Sequence, residues 1–391
     1  MEKLLWPFRQ GKILNAVFIS NIFLSLHYFL LYFVNSSFLS NYFSDTQLSA
    51  LYIIGSIADT FLLLNASRIL NAIGSYKFIL YALIIEFTST VGLIVSTTPF
   101  LVGFYFLLHL VIISLLLFNF DILVEGVSTN ESQTGGIRAT FLTITNISCV
   151  VAPSIVAFLL LRNGFWHVYL LSAILLIPLY FCIKRFKNVS QEPLQHINIK
   201  ETLREYLKHK DLYNIFTCQF LLQLFYAFMG IYTPLYLEKH IGFSWSEIGI
   251  IFTIMLLPFV FLELPLGEME DKKYGEKEFL TIGFIIMGLS TLFISFITVK
   301  VFWIWAMILF ITRIGASFVE ISSETYFFKQ VNEKKTDIIS FFRITRPISF
   351  IVTPILATIA FQFIDFQYVF IIIGALMIIG THYSLLLKDT R

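Results

Sequence analysis

Apolar residues run through this chain in long blocks separated by short polar connections, and the blocks recur from one end to the other. Twelve are near the roughly 20 residues that a bilayer-spanning helix needs. They lie at about 12–34, 46–68, 77–97, 99–124, 138–161, 165–184, 212–236, 245–267, 277–298, 301–327, 339–363 and 366–387. None shows the two-residue alternation of an outer-membrane barrel strand, so the blocks predict helices. Lys3, Arg9 and Lys12 precede the first block as they would a signal peptide. Its apolar part is too long for one and lacks a small-residue cleavage site, which predicts a retained first span.

The basic residues then orient the spans. Connections on one side hold only Arg162, Lys239 and Lys300, and Arg313 lies inside a span. The rest of the 27 Lys and Arg sit at the termini, in connections on the termini's side, or at adjoining helix ends. The expectation is a multi-pass protein of the cytoplasmic membrane with both termini cytoplasmic, which requires an even number of spans. The longest connection, 185–211, divides an N-terminal six-helix bundle (1–184) from a C-terminal one (212–391). It reads as a solvated basic linker, with a short helix along the membrane surface over Ile199–Leu212 as the alternative.

Composition narrows the class further. Of 391 residues 57% are hydrophobic and 13% charged, and the mean hydropathy is +0.81. A soluble chain of this length would need about a quarter charged residues to cover its domains. Soluble enzymes and disordered chains are thereby excluded, and a net charge of +2 without a basic block excludes a nucleic-acid binder. Cys149, Cys182 and Cys218 all fall in apolar blocks and are odd in number, so no disulfide framework is readable.

Compared with itself, the chain repeats at an offset of about 200 residues. Ser44 and Thr46 before the second span match Ser244 and Ser246 before the eighth, Leu48 matches Ile248, and Pro153 in the fifth falls near the register of Pro354 in the eleventh. Two six-helix halves joined by a cytoplasmic linker is the build of a rocking, alternating-access transporter.

The connection after the second span of each half sharpens this. The second half carries Gly267-Glu268-Met269-Glu270-Asp271-Lys272-Lys273-Tyr274-Gly275-Glu276-Lys277. That run resembles the major facilitator superfamily signature Gly-x-x-x-Asp-Arg/Lys-x-Gly-x-Arg/Lys, with one extra residue before the last glycine, and the resemblance to that family covers the full chain. In it, glycine makes a tight turn and the carboxylate caps a helix or pairs with a base. The first half keeps only Ser67-Arg68-Ile69-Leu70-Asn71-Ala72-Ile73-Gly74-Ser75-Tyr76-Lys77, in which the first glycine, the aspartate and its base are replaced. The fifth span has Pro153 without the glycines of drug/proton antiporters, and the fourth lacks the usual arginine, with His109 the only titratable group in its middle. The resemblance implies an all-α membrane protein of twelve transmembrane helices in two pseudo-symmetric six-helix bundles, with spans one, four, seven and ten around a central cavity.

A charge at mid-membrane costs about 3 kcal/mol on insertion scales, so each is a functional candidate. Asp59, Glu86, His109 and Arg313 lie at or near that depth. His109 and Arg313 fall on two of the implied cavity helices and are the first candidates for solute contact. Arg313 offers a planar fork for a carboxylate or phosphate. Spans one and seven add Asn21, His27, Tyr28, Tyr32, Gln219, Gln223 and Tyr226, the last three on one helical face. The plainer alternatives are an arginine paired to a buried acid and polar residues that merely bond helix to helix.

At the cytoplasmic ends Asp121 and Glu125 close the fourth span, and Glu320 and Glu324 the tenth, with the same spacing. Arg138 begins the fifth span, and Arg343 and Arg346 the eleventh. Such acids and bases suit an inner gate that breaks as the halves rock apart, or simply interfacial charges at helix ends. For coupling, Asp59 and Glu86 are the best-placed carboxylates and Glu263 the third.

The sequence therefore points to a secondary transporter moving a small organic solute by alternating access, with protons as the expected coupling ion and no cofactor or metal. Its other partner is the lipid bilayer, and the expected state is a monomer. An alternative, a transport-inactive relative serving as sensor or scaffold, rests on the degraded first-half signature. A membrane enzyme is disfavoured because no histidine has an aspartate five residues on and no connection could hold a catalytic domain.

Overall fold

The computed structural model describes residues 12–127, 131–162, 164–187, 199–262, 266, 275–330 and 341–388. Among these there is no strand. The spanning helices are α1 (Lys12–Tyr32), α2 (Asp45–Leu64), α3 (Ser75–Val95), α4 (Pro99–Val127), α5 (Glu131–Leu159), α6 (Trp166–Ile183), α7 (Lys210–Leu235), α8 (Trp245–Phe261), α9 (Glu276–Ile294), α10 (Phe302–Gln330), α11 (Thr345–Ala360) and α12 (Phe366–Leu385). Eleven are long and apolar enough to cross a membrane, and α8 is an apolar helix of 17 residues. The described residues thus form the all-α membrane protein that the hydrophobic blocks predicted, with one helix for each of the twelve blocks.

Local chemistry explains where the helices begin and stop. Ser244 builds a capping box at the start of α8: its hydroxyl accepts the Glu247 N–H at 3.4 Å, and its own N–H donates to Glu247 Oε2 at 2.8 Å. The second span is shorter than expected. It stops at Leu64, and Ala66–Ile73 forms a separate short helix. Asn65 makes the break, because its side-chain amide bonds to the Phe61 carbonyl at 2.9 Å while its own backbone leaves the helical region. The first-half counterpart of the signature run is therefore mostly helix. It ends at Gly74, whose φ of +85° suits glycine alone. At 29 residues each, α4 and α10 measure about 44 Å, well beyond the hydrocarbon thickness, so their charged ends reach water.

The chain divides into two compact units, Met1–Ser44 with Ile54–Leu194 and Asp45–Ile53 with Gln195–Arg391. In the first, α1 packs on α5 and α6, and α3 on α4 and α6. In the second, α7 packs on α11 and α12, and α9 on α10 and α12, the same pattern one repeat later. Packing around α9 is close enough to require glycine: a Cβ at Gly315 would lie 2.5 Å from the Met287 backbone nitrogen, and one at Gly374 would lie 2.7 Å from the Gly288 carbonyl. Past α12 the chain is tied down. The Leu387 carbonyl accepts from Lys277 Nζ at 3.1 Å, the Lys388 carbonyl from the Tyr326 hydroxyl at 3.1 Å, and the Lys388 N–H donates to Asp211 at 3.3 Å.

Candidate functional site

In the first unit one carboxylate is enclosed completely where an apolar bundle would exclude it. Glu86 is fully buried on α3, and its Oε1 accepts from His27 Nε2 on α1 at 2.8 Å and from His109 Nδ1 on α4 at 2.5 Å. A lone ionised carboxylate in this setting would cost several kcal/mol, about the scale of an unpaired buried ion; two ring N–H donors offset that cost. The other ring nitrogen of His27 faces α6, where Ser172 Oγ lies at 2.6 Å and the Ser172 carbonyl at 3.1 Å. The same hydroxyl also reaches the His27 carbonyl at 3.1 Å. Glu86 Oε2 is buried and has no hydrogen-bond partner.

Four helices, α1, α3, α4 and α6, each contribute one member of this cluster. The three ligand-type atoms of His27, Glu86 and His109 lie within 4.8 Å of one another, a spacing at which a metal ion deserves consideration. Ligands around a zinc ion sit about 2 Å from it and therefore about 3 Å or more apart. The contacts of 2.5 and 2.8 Å fit shared protons instead.

The second unit has a different polar group. Arg313 on α10 is 4% exposed, with its guanidinium carbon 5.1 Å from the Phe225 ring centre and 5.3 Å from that of Tyr226. The Tyr226 hydroxyl donates to Glu320 at 2.7 Å, and the Ser323 hydroxyl donates to Gln219 at 2.9 Å. The guanidinium rests over two ring faces, a cation–π arrangement on the same helix as Glu320. Gln219, Tyr226, Arg313, Glu320 and Ser323 thus join α7 to α10, while Gln223 is half-buried on α7.

Not every residue singled out in the sequence joins these groups. Asn21 is a bond between helices: its amide donates to the Phe141 carbonyl at 2.8 Å and to Thr145 at 3.1 Å on α5. His27, expected to contact solute, is wholly enclosed in the Glu86 cluster. Asp59 is 7% exposed on α2, apart from the hydrogen bonds that hold Glu86. At the charged helix ends, Arg343 grips Glu324 with both nitrogens at 2.5 and 3.1 Å, while Asp121 and Arg346 are exposed. Gly275 is the extended residue before α9, and Lys277 bonds Leu387. Glu263, Gly267, Asp271 and Lys272 lie outside the described residues, as do the side chains of Glu125 and Arg138. Two partners escaped the sequence reading. Ser172 is a small hydroxyl in an otherwise apolar stretch. Glu276, buried at the start of α9, pairs with Lys329 of α10.

Comparison with known proteins gives a consistent frame. The sequence profile of the Major Facilitator Superfamily matches residues 17–247 and 215–391. No curated protein matches the sequence. Among solved structures, a POT family transporter in complex with a thioalcohol-conjugated peptide superposes with a TM-score of 0.76 at 13% identity, over 95% of each chain. A peptide transporter POT in complex with sulfate superposes with a TM-score of 0.75 at 12% identity, over 96% of this chain and 94% of that one. At such identities the likeness is one of fold.

Proposed function

The chain belongs to the Major Facilitator Superfamily, a family of secondary transporters, and from that premise we propose that it moves a small anionic or zwitterionic organic solute by alternating access, coupled to protons. The observation that carries the coupling is Glu86, buried in the first unit and bonded by two histidines. A transporter that only lets solute equilibrate has no use for a titratable cluster buried at such cost. The solute class rests on Arg313, a buried planar cation of the kind that suits carboxylates and phosphates, set against the Phe225 and Tyr226 rings. The two structural neighbours are complexes with a thioalcohol-conjugated peptide and with sulfate, and the sulfate supports an anionic choice. In the same reading Asp121, Glu125 and Arg138 in the first unit, and Glu320, Glu324, Arg343 and Arg346 in the second, serve as the inner gate. The site of action is the cytoplasmic membrane, with both termini on the cytoplasmic side.

Two measurements test this. Purified protein is screened by thermal shift against small carboxylates, phosphates, amino acids and short peptides, where a ligand at 100 times its Kd adds about 2.7 kcal/mol. A hit should stabilise the wild type and lose its effect in Arg313→Gln; a hit indifferent to that change overturns the solute class. Flux of the hit into proteoliposomes should then respond to an imposed pH gradient in the wild type. Glu86→Gln should abolish that response while leaving solute exchange at zero gradient. Gradient-driven flux that survives Glu86→Gln overturns the coupling assignment, and binding without any flux would favour the sensor or scaffold alternative.

A further inference from the structure

Which atom carries the proton is decided by the hydrogen-bond inventory of the cluster. Glu86 Oε1 already accepts two N–H donors, from His27 and His109. A proton on Glu86 Oε2 would have nowhere to go, because that oxygen is buried with no partner in reach. His109 spends its Nδ1–H on Glu86, and its side chain is 4% exposed against 0% for Glu86 and His27. Two ring nitrogens remain. To His109 Nε2 no group among the described residues is hydrogen-bonded. His27 Nδ1 meets two groups of α6 at once: a carbonyl that can only accept, at 3.1 Å, and a hydroxyl that can donate or accept, at 2.6 Å. A new proton finds an acceptor only at His27.

Resting on the proton-coupled reading above, we infer that His27 is the residue that holds the transported proton and that the Ser172 hydroxyl is a positioning group whose rotation satisfies both forms of the ring. In the neutral form His27 Nε2–H donates to Glu86, and the Ser172 O–H donates to the bare Nδ1. A proton from water then adds to the Nδ1 lone pair, giving an imidazolium whose Nδ1–H donates to the Ser172 carbonyl and hydroxyl oxygens. The displaced hydroxyl hydrogen turns to the His27 carbonyl, 3.1 Å away. Glu86 stays ionised throughout, and the net charge of the cluster rises from minus one to zero. No backbone movement is needed, since every acceptor for the second state is already in place. The groups facing His27 are Glu86 from α3, His109 from α4 and Ser172 from α6. Helix α5 has no carboxylate or basic group among its described side chains, its one titratable group there being the Cys149 thiol, and the one histidine of α6, His167, bonds the Gly164 carbonyl at 2.9 Å.

The test reads the proton directly, independent of solute. Full-length protein labelled with 15N-histidine is reconstituted in liposomes, and the His27 resonances, identified by their loss in His27→Asn, are followed by solid-state NMR from alkaline to acidic pH. Neutral His27 should carry its proton on Nε2 with Nδ1 bare, and acid should protonate Nδ1. Ser172→Ala removes the donor that the neutral ring needs but leaves the carbonyl that the imidazolium uses. It should therefore raise the ratio of doubly to singly protonated His27 at a given pH by about tenfold, the weight of one hydrogen bond, and Ser172→Thr should restore the wild-type ratio. An unchanged ratio in Ser172→Ala overturns the inference. So does a neutral ring protonated on Nδ1 in the wild type, an observation that stands even if the alanine variant does not fold. A 13C-glutamate signal showing Glu86 protonated while His27 stays neutral overturns it too. If His27 titrates as described while flux ignores the pH gradient, the coupling reading fails and the proton's place is upheld.

Discussion

The two units share one helix-packing pattern and fill it differently. Moved along by the repeat of about 200 residues, Glu86 falls on Met287, Ser172 on Ile373, His109 on Phe310 and His27 on Ala227. Where the first unit buries a carboxylate and two imidazoles, the second buries Met287, Ala227 and Ile373 with Phe310 half-buried, and there α9 closes on α10 and α12 through glycine. Its own polar residues lie elsewhere, around Arg313 and Glu320. The difference teaches that the scaffold does not depend on the buried charge. One copy stands on apolar packing, so the charge in the other was kept at a cost in stability and calls for a functional reason.

Exchanging residues between the copies breaks this comparison most directly. Met287→Glu would place a carboxylate among glycines and apolar side chains with no ring N–H to meet it. The expected loss is about 3–5 kcal/mol of stability, as for an uncompensated buried charge, visible as a large fall in thermal unfolding temperature or in yield of folded protein. The reverse exchange, Glu86→Met, removes the acceptor for two buried N–H groups and should cost about 2–4 kcal/mol. Adding Ser172→Ala to it should cost little more, because both changes act on one network. Were Met287→Glu tolerated as well as Glu86→Met, the asserted asymmetry of the units would be wrong.

Smaller effects sharpen the same contrast. Gly315→Ala would press a methyl onto the α9 backbone at Met287 and should cost about 1–3 kcal/mol, the usual penalty of overpacking, read as a fall in thermal unfolding temperature. Smallest of all is Arg343→Ala, which removes a half-exposed pair with Glu324 and should change stability by under about 1 kcal/mol. Its signature belongs in transport, as a shift in the balance between inward and outward solute exchange.

Much of this was readable in the chain itself. The twelve blocks gave the spans because a bilayer admits few alternatives to a helix of about 20 residues. Glu86 and His109 stood out because charge and imidazole are rare at that depth. That His27 joins them was not readable: it lies fifty-odd residues from Glu86 in the chain, and only the packing of α1 between α4, α5 and α6 brings it there. Ser172 was invisible for a different reason, since a serine in a membrane helix usually bonds its own backbone. The break at Asn65 escaped too, because an apolar block continues through it and the competition for the Phe61 carbonyl leaves no mark in hydropathy.

The bonds beyond α12 bear on how the second unit comes together. Leu387 and Lys388 hold Lys277 at the start of α9, Tyr326 near the end of α10 and Asp211 at the start of α7. During synthesis these three helices leave the ribosome long before residues 387 and 388 do. The ends of these helices that meet the clasp therefore wait, unfastened, until α12 and the residues just after it have been made, and the clasp that joins them is among the last pieces to close.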